Sequence, residues 1–559
     1  MNSLLVAVIG FAAFYLAYRF YGKFLSQKIY SLDPEAVVPS HEMEDGIDFV
    51  PTNKHILFGH HFTSIAGAAP IVGPAIAVIW GWVPAVLWVV LGTIFMGAVH
   101  DFGALVISAR HKGRSIGEIT EDLVGPRART LFLLFIFFTL LIVIAVFALV
   151  IAILFNTYPG SVFPIWLEIP LAMAVGYLVY KKKANLVITG LVALVIMYVS
   201  IYIGVYYLPF SMPAIFGNNI IPWVVILMIY AFFASILPVW LLLQARDNIN
   251  SHELFVGLGL MFLGLLIARP TIVAPAFNSS PAGAPNIWPF LFITIACGAI
   301  SGFHSLVSSG TSVKQLNNET DAKAVGYGGM IAEGVLALMA ILACTAGFAS
   351  TEAWTSHYAS WSAASGLGAK VAAFVEGGAS FLEALSIPHE LGAGIIAVVV
   401  VSFAATTLDT ATRLQRYVVS ELAEDYNAKA LAGRIPATLV AVISALLLAS
   451  INGGKGGLIL WPLFGAVNQL LAGLALLTIS VYLYKQRKSI QYTIWPMIFM
   501  IIVTSWALVT NINNYYQAQN WLLTVLGGLM LLLEVWLILE TIFAFRNVER
   551  PEIPTDANV

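Results

Sequence analysis

Fifteen apolar runs of about twenty residues punctuate this 559-residue chain, near 3–22, 57–79, 83–108, 130–155, 163–180, 185–208, 220–244, 254–276, 287–308, 325–349, 392–412, 436–451, 457–482, 492–510 and 520–544. A helix of that length, rising about 1.5 Å per residue, matches the hydrocarbon thickness of a bilayer. In lipid the backbone can satisfy its polar groups only within helices or a closed barrel. These continuous runs therefore predict an all-α polytopic membrane protein of about 15 transmembrane helices. Composition agrees: 60% of residues are hydrophobic and 10% charged, against roughly 25% charged in soluble domains. The first run lacks a basic stretch before it, and Arg19 and Lys23 follow it, so it reads as a retained helix rather than a signal peptide. Cys297 and Cys344 form neither a CxxC pair nor a disulfide framework.

Charge placement sets the expected orientation. Of the 27 Lys and Arg residues, all but Arg269, Lys370 and Lys455 follow odd-numbered runs, Arg246 among them in the loop expected after the seventh. Cytoplasmic loops retain positive charge, which predicts an outside N-terminus and a cytoplasmic C-terminus. The longer connectors are 23–56 and 109–129 inside and 350–391 outside. The last has room for one or two short amphipathic helices on the membrane surface and reads equally as a lid or a plain connector. GGKGGL at 453–458 is expected as a Gly-rich outer turn.

The second run contains GHHFTSIAGAAPIVGP at 59–74. Its glycines and prolines interrupt the hydrogen-bond ladder, which at membrane depth is tolerated only beside a cavity or other protein. Thr63, Ser64, Ala66, Gly67, Ala68, Pro70 and Gly73 are accordingly expected to bind substrate. The seventh run carries Ser235 and Pro238 past its midpoint and runs the opposite way, so these two residues join the expected substrate site. Two interrupted helices of opposite direction, five apart, predict an inverted repeat pairing spans 2–6 with spans 7–11. The expected divisions are 1–56, the first helix and a cytoplasmic loop; 57–244, the first repeat and the start of the second; 245–435, the rest of the second repeat; and 436–559, peripheral helices.

Charged groups inside spans are costly and usually face a pathway. His60, His61, His100, Asp101, Ser301, His304, Ser305, Ser308, Glu333 and Asp409 fall in the half of the membrane below the break, and are expected to couple transport to a cation or proton. They fit interhelical hydrogen bonds as well, though Asp101 and Glu333 lie where a merely structural charge is hardest to explain. In the simplest hairpin register His60 faces Asp101 and His61 faces His100, and those four side chains are chemically able to hold zinc, although no ligand spacing enforces it. Asp409 and Arg413, spaced i, i+4, are expected to pair locally. No GxxxxGK[ST] motif encodes an ATP motor, and His252-Glu253 and His389-Glu390 lack the second histidine of HExxH.

Several stretches together, DGIDFVPTNKHILFGHH, GHHFTSIAGAAPIVGPAIA, VHDFGALVISARHKGRSIGE, FITIACGAISGFHSLVSSGT and NNETDAKAVGYGGM, resemble the carbon starvation protein A (CstA) family of bacterial inner-membrane transporters. The resemblance covers most of residues 45–345 and continues less specifically beyond. It implies a LeuT-like core of five plus five inverted helices and a multi-pass protein of the inner membrane. It also implies a secondary transporter, tied to carbon starvation, that imports pyruvate or short peptides with protons or sodium. The chain departs from the longer members in reading VHDF where those read QDF, and its sixth span has no Lys to stand in for a sodium ion. The expected partners are a small-molecule substrate and the bilayer, with no nucleic acid, no enzyme activity and no cofactor beyond the coupling ion. A transporter-like sensor without net transport is the alternative. It would favour a long cytoplasmic signalling domain, and the loops here are short.

Reporter fusions after Lys183 and Lys488 are expected to report the cytoplasm and one after Lys370 the opposite face. Two contrary fusions would reject this orientation.

Overall fold

The computed structural model describes residues 1–214, 218–454 and 456–547, which are helices and connectors without a β-strand beyond two isolated bridges. Lys455, in the expected Gly-rich turn, falls outside them. Among the described residues twelve helices are long and apolar enough to cross a membrane, thirteen when the bent pair Lys54–Ala66 and Ala69–Trp80 counts as one span. The remaining two expected spans are irregular. The seventh is the shorter apolar helix Ile220–Ile236, and the ninth is divided into Ile287–Thr294 and Gly302–Val307 by a non-helical stretch at 295–301.

Local chemistry explains the two interruptions. Gly67 ends the first half of the second span at φ +47°, and Pro70, at the start of the second half, has no N–H to give. The halves meet at 44°. In the ninth span Gly298 adopts φ +91°. The backbone groups freed there find side chains from three neighbours. Gly298 N–H donates to Glu333 Oε1 (2.9 Å), Thr93 Oγ1 donates to Gly298 O (2.9 Å), and Trp88 Nε1 donates to Ile295 O (3.0 Å).

The interruption that meets that of the second span lies in the ninth span, not the seventh. A Cβ on Gly73 would fall 2.5 Å from Thr294 O, and one on Gly298 3.3 Å from Pro70. Pro238 is not inside a helix at all. Ile220–Ile236 ends before it, because the residue preceding proline is driven out of the helical region, and Leu237 is extended at ψ 150°. Val239 N–H then donates to Ile47 O at the membrane face that carries the 23–56 connector.

The next helix, Leu243–Ala268, starts well before the expected 254. Hydropathy alone reads QARDNINSHE as loop. In the folded protein its polar side chains are buried against Lys54–Ala66 and His389–Asp425, which supply the hydrogen bonds that water would otherwise make. Arg246 therefore belongs to the core, not to a connector.

Pro126–Thr157 runs along His389–Asp425, and Ile220–Ile236 along Arg434–Gly454. The connector between the tenth and eleventh spans forms three helices, Thr351–His357, Trp361–Ala364 and Leu367–Glu383. Leu367–Glu383 lies in the part of the connector with room for a surface helix. It is buried between Gly328–Ala346, Leu243–Ala268 and Ala69–Ala77. Glycines make this approach possible, since a Cβ on Gly377 would run into the Ala343 carbonyl oxygen.

Gly377→Leu is therefore expected to destabilise the protein by about 3 kcal/mol, read as a lowered thermal midpoint in detergent. Gly259→Leu serves as the control, because its Cβ would meet nothing within 4 Å, and it should leave the midpoint unchanged.

Candidate functional site

The two interruptions close one end of a cavity of about 740 Å³. Ala69, Gly73, Thr294 and Cys297 come from the broken spans, Trp361 and Lys370 from the 347–388 connector, and Trp461, Phe464, Asn511 and Asn514 from the later helices. Of the residues expected to bind substrate, Gly73 lines this space. Ala66, Ala68 and Pro70 are buried at the break beside it. Thr63 Oγ1 turns back to Gly59 O (2.8 Å), and Ser64 Oγ shares a hydrogen bond with Thr410 Oγ1 (3.1 Å). Thr407 Oγ1 donates to Ser64 O (3.2 Å) and stands 2.6 Å from where a Cβ on Gly67 would fall. Ser235 is buried in the seventh helix with its hydroxyl unpartnered, and Pro238 lies at the opposite membrane face beside Ile47. Neither adjoins the break of the second span.

From the interruption of the ninth span a chain of fully buried titratable groups leads away. Glu333 accepts from Gly298 N–H with one oxygen and brings the other to 3.3 Å from His304 Nε2, within ion-pair range though not aligned as a hydrogen bond. His304 Nδ1 lies 3.0 Å from Asp101 Oδ2, and Asp101 Oδ1 lies 2.7 Å from His100 Nδ1. Ser301 joins through Cys297 Sγ (3.2 Å) and Asn468 Nδ2 (2.9 Å). His100, Asp101, Ser301, His304 and Glu333 are thus brought together as expected coupling residues. An imidazole flanked by two carboxylates satisfies both only as imidazolium, or as a neutral ring with one carboxyl protonated. The two forms hold the same proton, which can shift between ring and carboxyl; its loss would leave one ring nitrogen facing a carboxylate without a hydrogen between them.

His60 and His61 do not face this pair. His60 Nδ1 bonds Asp247 Oδ2, and His61 Nδ1 bonds Ser312 Oγ (2.8 Å). The hairpin register fails because the bend swings Lys54–Ala66 onto Leu243–Ala268, away from Ala98–Arg110. The four-residue zinc set His60, His61, His100 and Asp101 is accordingly split between partners. Among the described residues the donors that do converge are Cys297, His304 and Glu333, whose ligand atoms lie within 4.8 Å of one another, and all three also belong to this buried cluster. Ser305 turns to Gly302 O (2.7 Å), and Ser308 is buried with its hydroxyl unpartnered.

A second buried network escaped the reading of the sequence. Arg246 pairs with Glu168 Oε1 (3.1 Å) and Asp409 Oδ2 (2.7 Å), and Tyr230 Oη donates to the same Asp409 oxygen (2.6 Å). Asn250 Nδ2 donates to Thr406 Oγ1 (2.9 Å). Asp409 thus pairs across helices rather than with Arg413 one turn on. The signals were present: an acidic residue, Glu168, within an apolar run, and Arg246, Asn250 and Glu253 spaced i, i+4, i+7 on one helical face.

Arg413 instead reaches Asp48 in the connector before the second span (2.6 Å), and Arg416 reaches it too (3.1 Å). Arg413 Nη2 also donates to Leu237 O (2.6 Å). Asp48 thereby ties the entry of the second span to the eleventh and the end of the seventh. Burial works to raise the Asp48 pKa, but Arg413, Arg416 and Lys314 hold the carboxyl well below the usual carboxylate range. With a depressed native pKa, its stabilisation is complete above about pH 4, the ordinary carboxyl value. It is lost only as pH falls through the native value.

Asp48→Asn is expected to cost about 3 kcal/mol. The gap in thermal midpoint from the parent protein should stay constant between pH 5 and 8, and a gap that closes by pH 6 would contradict this assignment.

A sequence-family model described as Carbon starvation protein CstA matches residues 2–352 and 347–507. The peptide transporter CstA of Campylobacter jejuni is 34% identical over 93% of this chain and 82% of its own length. The pyruvate/proton symporter BtsT of Escherichia coli is 33% identical over 91% and 81%, and the peptide transporter CstA of Bacillus subtilis 32% over 92% of each. Among solved structures, the fold is similar to that of the Eremococcus coleocola manganese transporter, with a TM-score of 0.50 over 90% of this chain and 99% of that one. At 12% identity that likeness is one of fold alone.

Proposed function

The chain belongs to the carbon starvation protein CstA family of multi-pass membrane transporters, and from that premise we propose that it imports small carboxylate nutrients, pyruvate or short peptides, together with protons. The observation that carries the reading is the meeting of two interrupted helices at the closed end of a cavity, with the chain Glu333, His304, Asp101, His100 leading away from it. The printed names of the relatives, peptide transporter and pyruvate/proton symporter, support the substrate class and the coupling ion.

The core is a five plus five inverted repeat with membership revised to spans 2, 3, 4, 7 and 8 against spans 9 to 13, the fifth and sixth being an insertion. Adjacency of counterparts supports this pairing: the second span meets the ninth, the third the tenth, the fourth the eleventh and the seventh the twelfth. In each pair the members run in opposite directions, as an inverted repeat requires. The charge distribution supports an outer-facing cavity, with Asp48 and its arginines toward the cytoplasm. Substrate enters from the cavity and meets the freed backbone groups of the breaks. A proton passes into the Glu333 to His100 chain, and opening of the Asp48 contacts releases both to the cytoplasm. Asp101 shares its two oxygens between His100 and His304, so it is the link that cannot be bypassed.

Asp101→Asn preserves shape but cannot titrate. It should fold and exchange labelled pyruvate or dipeptide across proteoliposome membranes at near the parent rate, yet lose accumulation driven by a proton gradient by tenfold or more. Full proton-driven accumulation would reject proton coupling through Asp101. Accumulation driven by sodium alone would assign coupling instead to the hydroxyls of Ser64, Thr407 and Thr410 beside the break.

A further inference from the structure

Among the described residues that line the large cavity, Lys370 is the only one with a formal charge. It is 5% exposed, and buried lysines are ordinarily paired with a carboxylate. Among the described residues this one has no such partner. Burial lowers its pKa to about 8, with no neighbouring charge acting on it. Its ammonium lies 5.4 Å from the centre of the Trp461 ring, a contact that weakly stabilises a cation and leaves its hydrogen-bond donors free.

The position of Lys370 on its helix adds to this. Leu367–Glu383 begins at the cavity wall, where Ser365, Gly366 and Leu367 line the space. The N-cap Gly366 offers no side chain to the first-turn N–H groups, so the positive end of the helix dipole and the ammonium line the same cavity. Trp361 and Trp461 supply apolar walls, and Asn511 and Asn514 supply neutral hydrogen-bonding groups. A negative charge entering the cavity thus finds a buried cation and a helix N-terminus together, with no protein carboxylate competing for them.

We propose that Lys370 and the N-terminus of its helix form a carboxylate-binding site that captures the anionic end of the substrate in the outer cavity. It rests on the reading of this chain as a carboxylate importer and adds to it the residue that selects for the anion. The site lies on the connector between the tenth and eleventh spans, against Ala69–Ala77. Capture there delivers the substrate to the interrupted helices.

Two measurements on the purified full-length protein test this, using pyruvate and its neutral analogue pyruvamide as probes. In proteoliposomes, Lys370→Met should raise the apparent KM for labelled pyruvate at least tenfold, and Lys370→Arg should restore it to within about threefold. In detergent, pyruvate but not pyruvamide should raise the thermal midpoint of the parent protein and of Lys370→Arg, and should leave Lys370→Met unmoved. Without ligand, Lys370→Met should be at least as stable as the parent, since it removes an unpaired buried charge. Should it not survive purification, Lys370→Gln takes its place. Unchanged KM and an unchanged pyruvate shift in the neutral variant would overturn the proposal, as would the absence of any pyruvate shift in the parent. If the parent transports neither pyruvate nor dipeptide but still shows the Lys370-dependent shift, the binding site stands and the transport reading fails.

Discussion

Backbone that leaves the helix inside a membrane must hand every freed N–H and C=O to a neighbour, and that requirement organises this protein. At the ninth span the neighbours are Glu333, Thr93 and Trp88, and Gln469 Nε2 adds a bond to Phe292 O (3.0 Å). At the second span Thr407 serves Ser64 O. Thr93 and Trp88 come from the third span and the others from one span each, so the interruptions hold the third, tenth, eleventh and thirteenth spans in register around them. Glu333 illustrates the economy of the arrangement. The same carboxylate that receives Gly298 N–H faces His304 with its second oxygen, so a change in the backbone at the break and a change in the protonation of the chain act on one group.

Buried charge is handled in two distinct ways. Around Arg246 the cation is fixed, because a guanidinium stays protonated, and Glu168 and Asp409 compensate it across three helices. That network also ties the fifth span to the core through Glu168. Around His304 every member can exchange a proton and no permanent cation is present. The first arrangement suits a rigid joint and the second a site whose charge varies during a cycle. Lys370 is a third case, a buried cation with no compensating group among the described residues, and it stands on the cavity itself.

The contacts of Asp48 on one side and the cavity on the other make the molecule asymmetric about the breaks. Asp48 joins the entry of the second span to the eleventh and, through Arg413, to the end of the seventh, so this face is closed by charge-assisted hydrogen bonds. The opposite face is occupied by Leu367–Glu383 and the tryptophans of the cavity wall.

The sequence by itself determined the membrane class and the place of the first interruption, and His100, Asp101, Ser301, His304 and Glu333 were among the ten polar residues it singled out within the spans. Apolar run length, proline and glycine chemistry and the scarcity of intramembrane charge are local properties that need no partner to be read. Only the tertiary structure decided who faces whom. Pairing His60 with Asp247 rather than Asp101 depends on a 44° bend and on which helix packs beside it. Arg246, Asp247 and Glu253 entered the core because Lys54–Ala66 and His389–Asp425 satisfy them, and hydropathy, which scores each residue against lipid or water, has no term for such neighbours. The second interruption was missed for the same reason. Pro238 is a stronger breaker than Gly298 in isolation, but a break is stable at membrane depth only where other helices bring donors and acceptors to it, and they converge on 295–301.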